Sequence, residues 1–302
     1  MAEAEQQCTE IKLSVPWGHV AAKTYGSPTG KPVLLVHGHQ DNLGSFTRLM
    51  KYLPKELFYY VCIDLPGHGW SSPFPSWMMI DITVYTHGLY FILEALQWKK
   101  FIYIGHSLGT QIAFMFSIFQ PNRIRKLISL DGLLMGHLKE DYVLHFYITS
   151  TLVVKTYHKT EKPRSYTKTE ILHALKTMRM SPLNSEAADA LFERAVTKVN
   201  GNGKYIYNRD LRLRHQPLLF MNMEECQKFN NKLSVPIYLF LPSHGVLRKH
   251  EEELKLVLET IKTKTMLEII NIDGNHDVHN NNPENIAPFV CEILNSDNFS
   301  KL

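Results

Sequence analysis

The chain has 302 residues, of which 44% are hydrophobic and 21% charged, which is enough for one sizeable globular core. This composition excludes a disordered chain, a collagen and a coiled coil. The formal net charge is +4, and the basic residues are scattered rather than gathered in one run, which argues against a nucleic-acid-binding arm.

The first 131 residues alternate short apolar runs with helix-like stretches, a pattern typical of a largely parallel sheet covered by helices. A hairpin is predicted where residues 11–15 and 19–24 flank Pro16-Trp17-Gly18. The next four runs are nearly all apolar, as strands buried on both faces should be. These runs are residues 33–36, 59–63, 101–104 and 127–130.

The alternation lapses over residues 132–232, which the sequence predicts to be helix and loop. It resumes with strands predicted at residues 237–240 and 268–272. We therefore predict an α/β core formed by residues 1–131 and 233–302, interrupted by a helical cap or lid at 132–232. The insertion contains 16 Lys and Arg against 10 Asp and Glu, an excess that is usually a solvated face.

The most informative motif is Gly105-His106-Ser107-Leu108-Gly109, which joins a predicted buried strand to a helix-like stretch at residues 110–119. Glycines on both sides of a serine permit a sharp turn that lifts its hydroxyl clear of the sheet. The string alone arises by chance in about one chain of this length in ten, at about 7% usage of each residue type. Its position after a buried strand makes Ser107 the candidate nucleophile.

A serine hydroxyl needs an imidazole base that a carboxylate holds in one tautomer. Among the 15 histidines, His276 follows the last predicted strand, whose end opens at the same sheet edge as Ser107, so it is the candidate base. Asp131 follows the strand at 127–130 and is the candidate acid, because the loop after the strand at 237–240 has no carboxylate. The alternative is that Asp131 only caps the chain as it leaves the sheet. Four other histidines are predicted to be structural or surface residues: His106, His137, His244 and His279.

Acyl transfer also needs backbone donors aimed at the developing oxyanion. The loop after the strand at 33–36 contains Gly38, and we expect the amides of His39 and Leu108 to form the donor pair. The turn Gly67-His68-Gly69 is predicted to be scaffold, because it lacks the Lys-Ser/Thr ending of a nucleotide-binding loop. The four cysteines are far apart and form no Cys-x-x-Cys pair that could begin a zinc site or a redox motif. We expect no metal or organic cofactor.

The two ends of the chain bear on its location. Residues 1–10 have no apolar stretch of the kind a secretory signal requires, so we expect a soluble intracellular protein without a membrane span. The chain ends in Ser300-Lys301-Leu302, a peroxisomal targeting tripeptide that an import receptor reads. We therefore expect a peroxisomal protein, otherwise cytoplasmic, with that receptor as a partner. The alternative is a polar tail that merely ends this way.

With these elements in order, residues 10–294 resemble the serine hydrolase-like (kraken-like) family of α/β-hydrolases. The motifs that carry the resemblance are Val15-Pro16-Trp17-Gly18-His19, Val36-His37-Gly38 with Asp41-Asn42, Gly67-His68-Gly69, the Ser107 motif, Leu130-Asp131, Asn208-Arg209-Asp210 and Gly274-Asn275-His276. The resemblance implies an α/β-hydrolase fold with a mostly parallel eight-stranded sheet, flanking helices and a helical cap. It also implies a hydrolase of carboxylic esters or related acyl compounds. The chain departs from the family in having His39 where an aromatic residue such as Trp is frequent.

The nucleophile indicates the reaction class. Haloalkane dehalogenases and epoxide hydrolases, which have a similar layout, carry an aspartate at the position of Ser107, and a carboxylate suits displacement at alkyl carbon, whereas a serine suits attack on a carbonyl. We therefore expect a serine esterase that works through Ser107, His276, Asp131 and an acyl-enzyme, with a small-molecule ester or thioester as substrate. One alternative, based on the terminal tripeptide and the basic insertion, is a peroxisomal acyl-CoA thioesterase. Another is a ligand-binding protein of the same fold that does not catalyse a reaction.

Overall fold

The computed structural model describes residues 8–135, 142–160, 163–199, 203–215 and 221–296. The strands in these residues are β1 (Cys8–Val15), β2 (Gly18–Tyr25), β3 (Lys31–Val36), β4 (Phe58–Ile63), β5 (Phe101–His106), β6 (Ile124–Leu130), β7 (Val196–Lys198), β8 (Tyr205–Tyr207), β9 (Ile237–His244) and β10 (Leu267–Asn275). The helices are α1 (Ile82–Leu96), α2 (Leu108–Phe119), α3 (Tyr142–His158), α4 (Lys168–Thr177), α5 (Ser185–Ala195), α6 (Met223–Asn230), α7 (Glu251–Lys262), α8 (Val278–Asn281) and α9 (Pro283–Asn295).

Eight of the strands form one sheet in the order β1-β2-β4-β3-β5-β6-β9-β10. The β1–β2 hairpin and the β2–β4 pair are antiparallel, and every other neighbouring pair is parallel. Each of the eight runs predicted from the sequence lies within one of these strands. The predicted architecture, a mostly parallel eight-stranded sheet with flanking helices, is therefore confirmed.

Helices cover both faces of the central strands, and β3 shows how the sequence produces this. Val33 and Leu35 face a core layer that includes residues of α9, whereas Leu34 and Val36 face the opposite layer with residues of α1 and α2. All four side chains are fully buried. A strand that is covered on both faces has no solvent side, so its sequence is a continuous apolar run rather than an alternating one.

The segment between β6 and β9 contains α3 to α6 and the antiparallel pair β7–β8, none of which joins the large sheet. The sequence predicts no strand here. β7 and β8 have three residues each, too few for an alternating pattern to be visible. Helix α5 packs against the short 3₁₀ turn Leu43–Phe46, so this segment contacts the loop that follows β3. In the described part of the chain, no helix combines the length and apolar character needed to cross a bilayer.

Candidate active site

The turn that presents Ser107 is as tight as the sequence predicts. β5 ends at His106 and α2 begins at Leu108, which leaves Ser107 alone between them with φ 51° and ψ −116°. A non-glycine residue in this left-handed region costs on the order of 1–3 kcal/mol and is characteristic of functional sites. At Gly109 a Cβ atom would lie 2.2 Å from the carbonyl oxygen of Val36, so only glycine lets α2 approach β3 this closely.

His276 and Asp131 meet although 145 residues separate them. Nδ1 of His276 lies 2.6 Å from Oδ2 of Asp131, and both side chains are buried. Asp131 also has a positive φ, 45°. The structure therefore brings together the predicted base and the predicted acid. Because Nδ1 is bonded to the carboxylate, Nε2 is the ring nitrogen left to exchange a proton with another group.

The loop after β9 explains how Asp131 is oriented. This loop has no carboxylate of its own, but its backbone amides of Val246 and Leu247 donate to the two oxygens of Asp131, at 2.7 Å and 3.4 Å. Asp131 therefore accepts hydrogen bonds from two directions, and its carboxylate has a fixed orientation toward the imidazole.

The surroundings of His276 favour its charged form. Burial opposes protonation of the ring, but the hydrogen bond that Nδ1 donates to Asp131 and the charges of Asp277, Asp131 and Asp41 outweigh it and raise the pKa of His276 above its ordinary value. An imidazole with a raised pKa is a stronger base. The positive charge that it would gain by taking a proton is stabilised in advance.

The two residues predicted to supply the oxyanion donors lie near the serine, since Leu108 follows it directly and His39 lines the same cavity. Leu108 is the first residue of α2, where an amide has no carbonyl one helical turn earlier to bond with. The loop after β3 passes close to the nucleophile, since a Cβ atom at Gly38 would lie 3.1 Å from Cβ of Ser107. The side chain of His39 is partly buried, and this desolvation lowers its pKa to about 4, so the ring is neutral at pH 7.

Two of the histidines predicted to be structural pack around His276. The ring centroid of His106 lies 4.5 Å from that of His276 and 4.1 Å from that of His279. Nε2 of His106 lies 3.1 Å from the carbonyl oxygen of His276, and burial lowers the pKa of His106 to about 3. Both His106 and His279 are fully buried, so His279 is a core residue rather than a surface one.

The other two histidines of that group lie elsewhere. His244 is exposed at the end of β9, and His137 lies outside the described residues. The turn Gly67-His68-Gly69 follows Asp64, whose carboxylate accepts from the amides of Leu43 and Trp70 at 2.8 Å and 2.9 Å. Asp64 thereby joins two loops at the sheet edge, as a scaffold does.

The sequence does not reveal an ion-pair network beside His276. Arg179, which follows α4, lies 2.6 Å from Asp41 and 3.2 Å from Asp277. Asp41 follows β3, and Asp277 is the neighbour of His276. The network therefore connects the predicted cap to two loops of the core. Of these three residues, only Asp41 belongs to a motif that carries the family resemblance. Arg179 and Asp277 are 98 residues apart, so no local pattern in the sequence shows that they meet.

Among the described residues, one group has the spacing to hold a cation. The possible ligand atoms of Asp41, His106 and Asp277 all lie within 4.8 Å of one another. Arg179 already supplies a positive charge to both carboxylates. The guanidinium group of Arg179 therefore already balances the negative charge that a bound cation would otherwise balance.

Ser107, His276 and Asp131 line one cavity of about 1520 Å³. Among the described residues, the His276 ring is hydrogen-bonded to Asp131 and not to the Ser107 hydroxyl. The volume exceeds the roughly 300–1,000 Å³ of typical small-molecule pockets. The predicted cap contributes much of the lining, including Met178, Met180 and Leu191.

Comparison with known proteins identifies the family. A model of the alpha/beta hydrolase fold matches residues 31–206. The chain is 32% identical over 298 residues to serine hydrolase-like protein 2 of Homo sapiens, covering 95% of this chain and 94% of that protein. It is 30% identical over 291 residues to a serine hydrolase-like protein of Danio rerio, covering 95% of this chain and 88% of that one.

A solved structure extends the comparison to three dimensions. A hypothetical protein of Pseudomonas aeruginosa has a TM-score of 0.79 and 25% identity to this chain, covering 94% of this chain and 97% of that one. The sheet topology, the elbow at Ser107 and the full-length relatives all indicate the same kind of hydrolase, and the resemblance noted in the sequence is confirmed. The chain therefore belongs to the serine hydrolase-like family of the α/β-hydrolases.

Proposed function

We propose that this hydrolase cleaves carboxylic esters with Ser107 as nucleophile, His276 as general base and acid, and Asp131 as the orienting carboxylate. The main support is the 2.6 Å contact between Asp131 and Nδ1 of His276 at a cavity that Ser107 also lines. This arrangement matches the logic of a nucleophile, a base and an orienting acid.

In the proposed reaction, Oγ of Ser107 attacks the ester carbonyl carbon while Nε2 of His276 takes the hydroxyl proton. The carbonyl π electrons move to oxygen, and the amides of His39 and Leu108 stabilise the resulting oxyanion. Collapse of this intermediate breaks the bond to the alcohol, which leaves with the proton from His276. Water then attacks the acyl-enzyme in the same way and releases the acid.

The charges of the cavity support an uncharged ester over a phosphate-bearing acyl-CoA. Its lining contains seven carboxylates, of Asp41, Asp131, Glu170, Glu251, Glu252, Glu253 and Asp277. It contains four arginine or lysine side chains, of Arg179, Arg209, Arg248 and Lys249. The basic excess of residues 132–232 is therefore not reproduced in this cavity. A polyphosphate group would meet net repulsion there.

Labelling with a fluorophosphonate probe tests the proposal, because the probe phosphonylates an activated serine. The wild type should be labelled, and Ser107→Ala should not. Hydrolysis of p-nitrophenyl esters should fall in the same variant to near the uncatalysed rate. Labelling that persists in Ser107→Ala, or a wild type that is not labelled, would contradict the proposal, and the latter result would favour a binding protein that does not catalyse a reaction.

A panel of acyl-CoA thioesters and uncharged esters of matched chain length tests the substrate class. We expect higher kcat/KM values for the uncharged esters. A preference for CoA thioesters that is lost at high salt would instead indicate recognition of the phosphates, and would favour the thioesterase alternative.

A further inference from the structure

Arg179 joins two loops that each carry part of the proposed catalytic machinery. Its Nη1 and Nη2 donate to the two oxygens of Asp41 at 2.6 Å and 3.3 Å, and Nη2 also donates to Oδ1 of Asp277 at 3.2 Å. Asp277 directly follows His276, the proposed base. Asp41 lies two residues after His39, whose amide is an expected oxyanion donor. One guanidinium group therefore contacts both loops.

Each of the two carboxylates belongs to a short turn, so its position affects the backbone of that turn. The amide of Asp41 donates to the carbonyl of Gly38 at 3.3 Å, which closes a four-residue turn around the expected oxyanion donor. The amide of Asp277 donates to the side chain of Asn275 at 3.0 Å, on either side of the proposed base. A shift of one carboxylate would therefore displace either the donor or the base.

The two carboxylates share one counter-charge. Both side chains are 1% exposed, and an oxygen of Asp41 lies within 4.8 Å of an oxygen of Asp277. Like charges this close repel each other, and a buried ion pair that loses one partner is strongly destabilised. Without the guanidinium group of Arg179, this repulsion would favour separation of the two turns.

The predicted cap contacts the loop of the base at further points beyond the arginine. We call residues 275–281 the base segment. The carbonyl of Pro182 accepts from the side-chain amides of Asn275 and Asn281 at 2.9 Å and 3.0 Å. The backbone amide of Asn184 donates to the side chain of Asn281 at 2.9 Å. The part of the cap that supplies the guanidinium group is therefore itself fixed against the base segment.

From these contacts we infer that Arg179 is a positioning residue, which holds His276 and the oxyanion donors in their working arrangement without touching the reacting atoms. The inference rests on the proposed hydrolysis, because it concerns the same base and donors. Both of these act in the formation of the acyl-enzyme and in its hydrolysis, so their displacement slows both steps. The loss should therefore appear in kcat and leave KM nearly unchanged.

Steady-state kinetics with a p-nitrophenyl ester tests the inference. In Arg179→Met we expect kcat to fall on the order of 10²-fold and KM to change less than about twofold, since small displacements of reacting groups cost this much in rate. Arg179→Lys keeps the charge, but one ammonium group cannot form the forked contact with Asp41, so its kcat should fall at least about fivefold. A thermal unfolding midpoint verifies that each variant folds. Should Arg179→Met not fold, Arg179→Lys provides the test.

Arg123→Met is the matched control. The Arg123 side chain is 18% exposed, against 19% for Arg179. It too fixes a distant part of the backbone, since its Nε and Nη2 donate to the carbonyls of Lys99 and Trp98, both at 2.6 Å. Arg123 does not line the cavity, so kcat and KM of this variant should match those of the wild type.

Hydrogen–deuterium exchange adds a measurement that needs no turnover. The amides of Asn280 and Asn281 donate to the carbonyl of Asp277 at 2.9 Å and 2.8 Å, so their protection reports on the base segment. We expect these amides to exchange faster in both Arg179 variants than in the wild type, and at the wild-type rate in Arg123→Met.

Wild-type kcat in both Arg179 variants, or unchanged exchange of these amides, would overturn the inference. A raised KM with an unchanged kcat would also overturn it, and would make Arg179 a substrate-binding residue. Hydrolysis that persists in Ser107→Ala would instead contradict the proposed function, and the exchange measurement would still decide whether Arg179 fixes the base segment. The two failures are therefore distinguishable.

Discussion

Asp131 is held from two sides, and the proposed chemistry depends on this. One oxygen contacts Nδ1 of His276 and the amide of Val246, and the other accepts from the amide of Leu247. Its role in the proposed reaction is to keep the imidazole in one tautomer and to stabilise the positive charge that the ring would acquire. Both functions require a carboxylate rather than a side chain of similar shape.

The substitution Asp131→Asn should therefore lower kcat for ester hydrolysis by on the order of 10³–10⁴-fold with little change in fold. Steady-state kinetics with a p-nitrophenyl ester would measure this effect. His244→Ala provides the control, since His244 is exposed and does not line the cavity. Near-normal turnover in Asp131→Asn would mean that another group orients the base.

The raised pKa of His276 predicts the acid side of the pH profile. Only the neutral ring can take the serine proton, so kcat/KM should fall as the pH drops through this pKa. Because the pKa lies above the ordinary value of 6.5, the half-maximal point should lie above pH 6.5. In the residual activity of Asp131→Asn, this half-maximal point should move to lower pH, because the hydrogen bond to Asp131 that favours the charged ring is then lost. An acid limb below pH 6.5 in the wild type would contradict the assignment of the base.

At the scale of secondary-structure elements, two arginines join the predicted cap to the core. Arg179 follows α4 and contacts Asp41 and Asp277, whereas Arg194 lies in α5 and contacts Asp64 at 2.8 Å. Arg194 also lies over the ring of Trp70, with 3.9 Å between the guanidinium carbon and the ring centroid. Asp64 is fully buried, so its carboxylate depends on this partner for charge compensation.

The substitution Arg194→Met should therefore lower the free energy of unfolding by about 3–5 kcal/mol, because it leaves the carboxylate of Asp64 buried without a counter-charge. Urea denaturation would measure the change. The control is Lys228→Met, which removes a highly exposed i,i+4 ion pair with Glu224 and should cost no more than about 0.5 kcal/mol. Equal changes in the free energy of unfolding would show that the buried ion pair contributes no more to stability than the exposed one.

At the scale of the whole molecule, we propose that Ser300-Lys301-Leu302 directs the protein to peroxisomes through an import receptor. These residues lie outside the described part of the structure. A fluorescent fusion at the amino end leaves Leu302 as the free carboxyl terminus and should give puncta that coincide with a peroxisomal marker. Deletion of the tripeptide should make the signal diffuse. A diffuse signal from both proteins would contradict the proposal.

The fold was largely predictable because its strands are local features. Runs such as residues 33–36 and 59–63 are apolar throughout, and burial on both faces requires this of any sequence in that position. The helix predicted at residues 110–119 begins two residues earlier, at Leu108, because the elbow occupies only one residue. The predicted division into a core and a cap at residues 132–232 remains a prediction.

The candidate site was predictable in part. Ser107, Asp131 and His276 each follow a strand, and the carboxyl ends of parallel strands open at one edge of the sheet, so their approach could be anticipated from topology. The pairing of Arg179 with Asp41 and Asp277 could not, since it joins positions 138 and 98 residues apart.

The sequence by itself determined the strand and helix alternation, the elbow at Ser107 and the strand ends from which an acid and a base could reach it. These features depend on local backbone conformation and on the apolar runs of individual strands. Only the tertiary structure decided that Asp131 contacts His276 and that Arg179 and Arg194 join two parts of the chain. Each of these depends on contacts between distant residues, and their free energies are set by packing and burial rather than by neighbours in the chain.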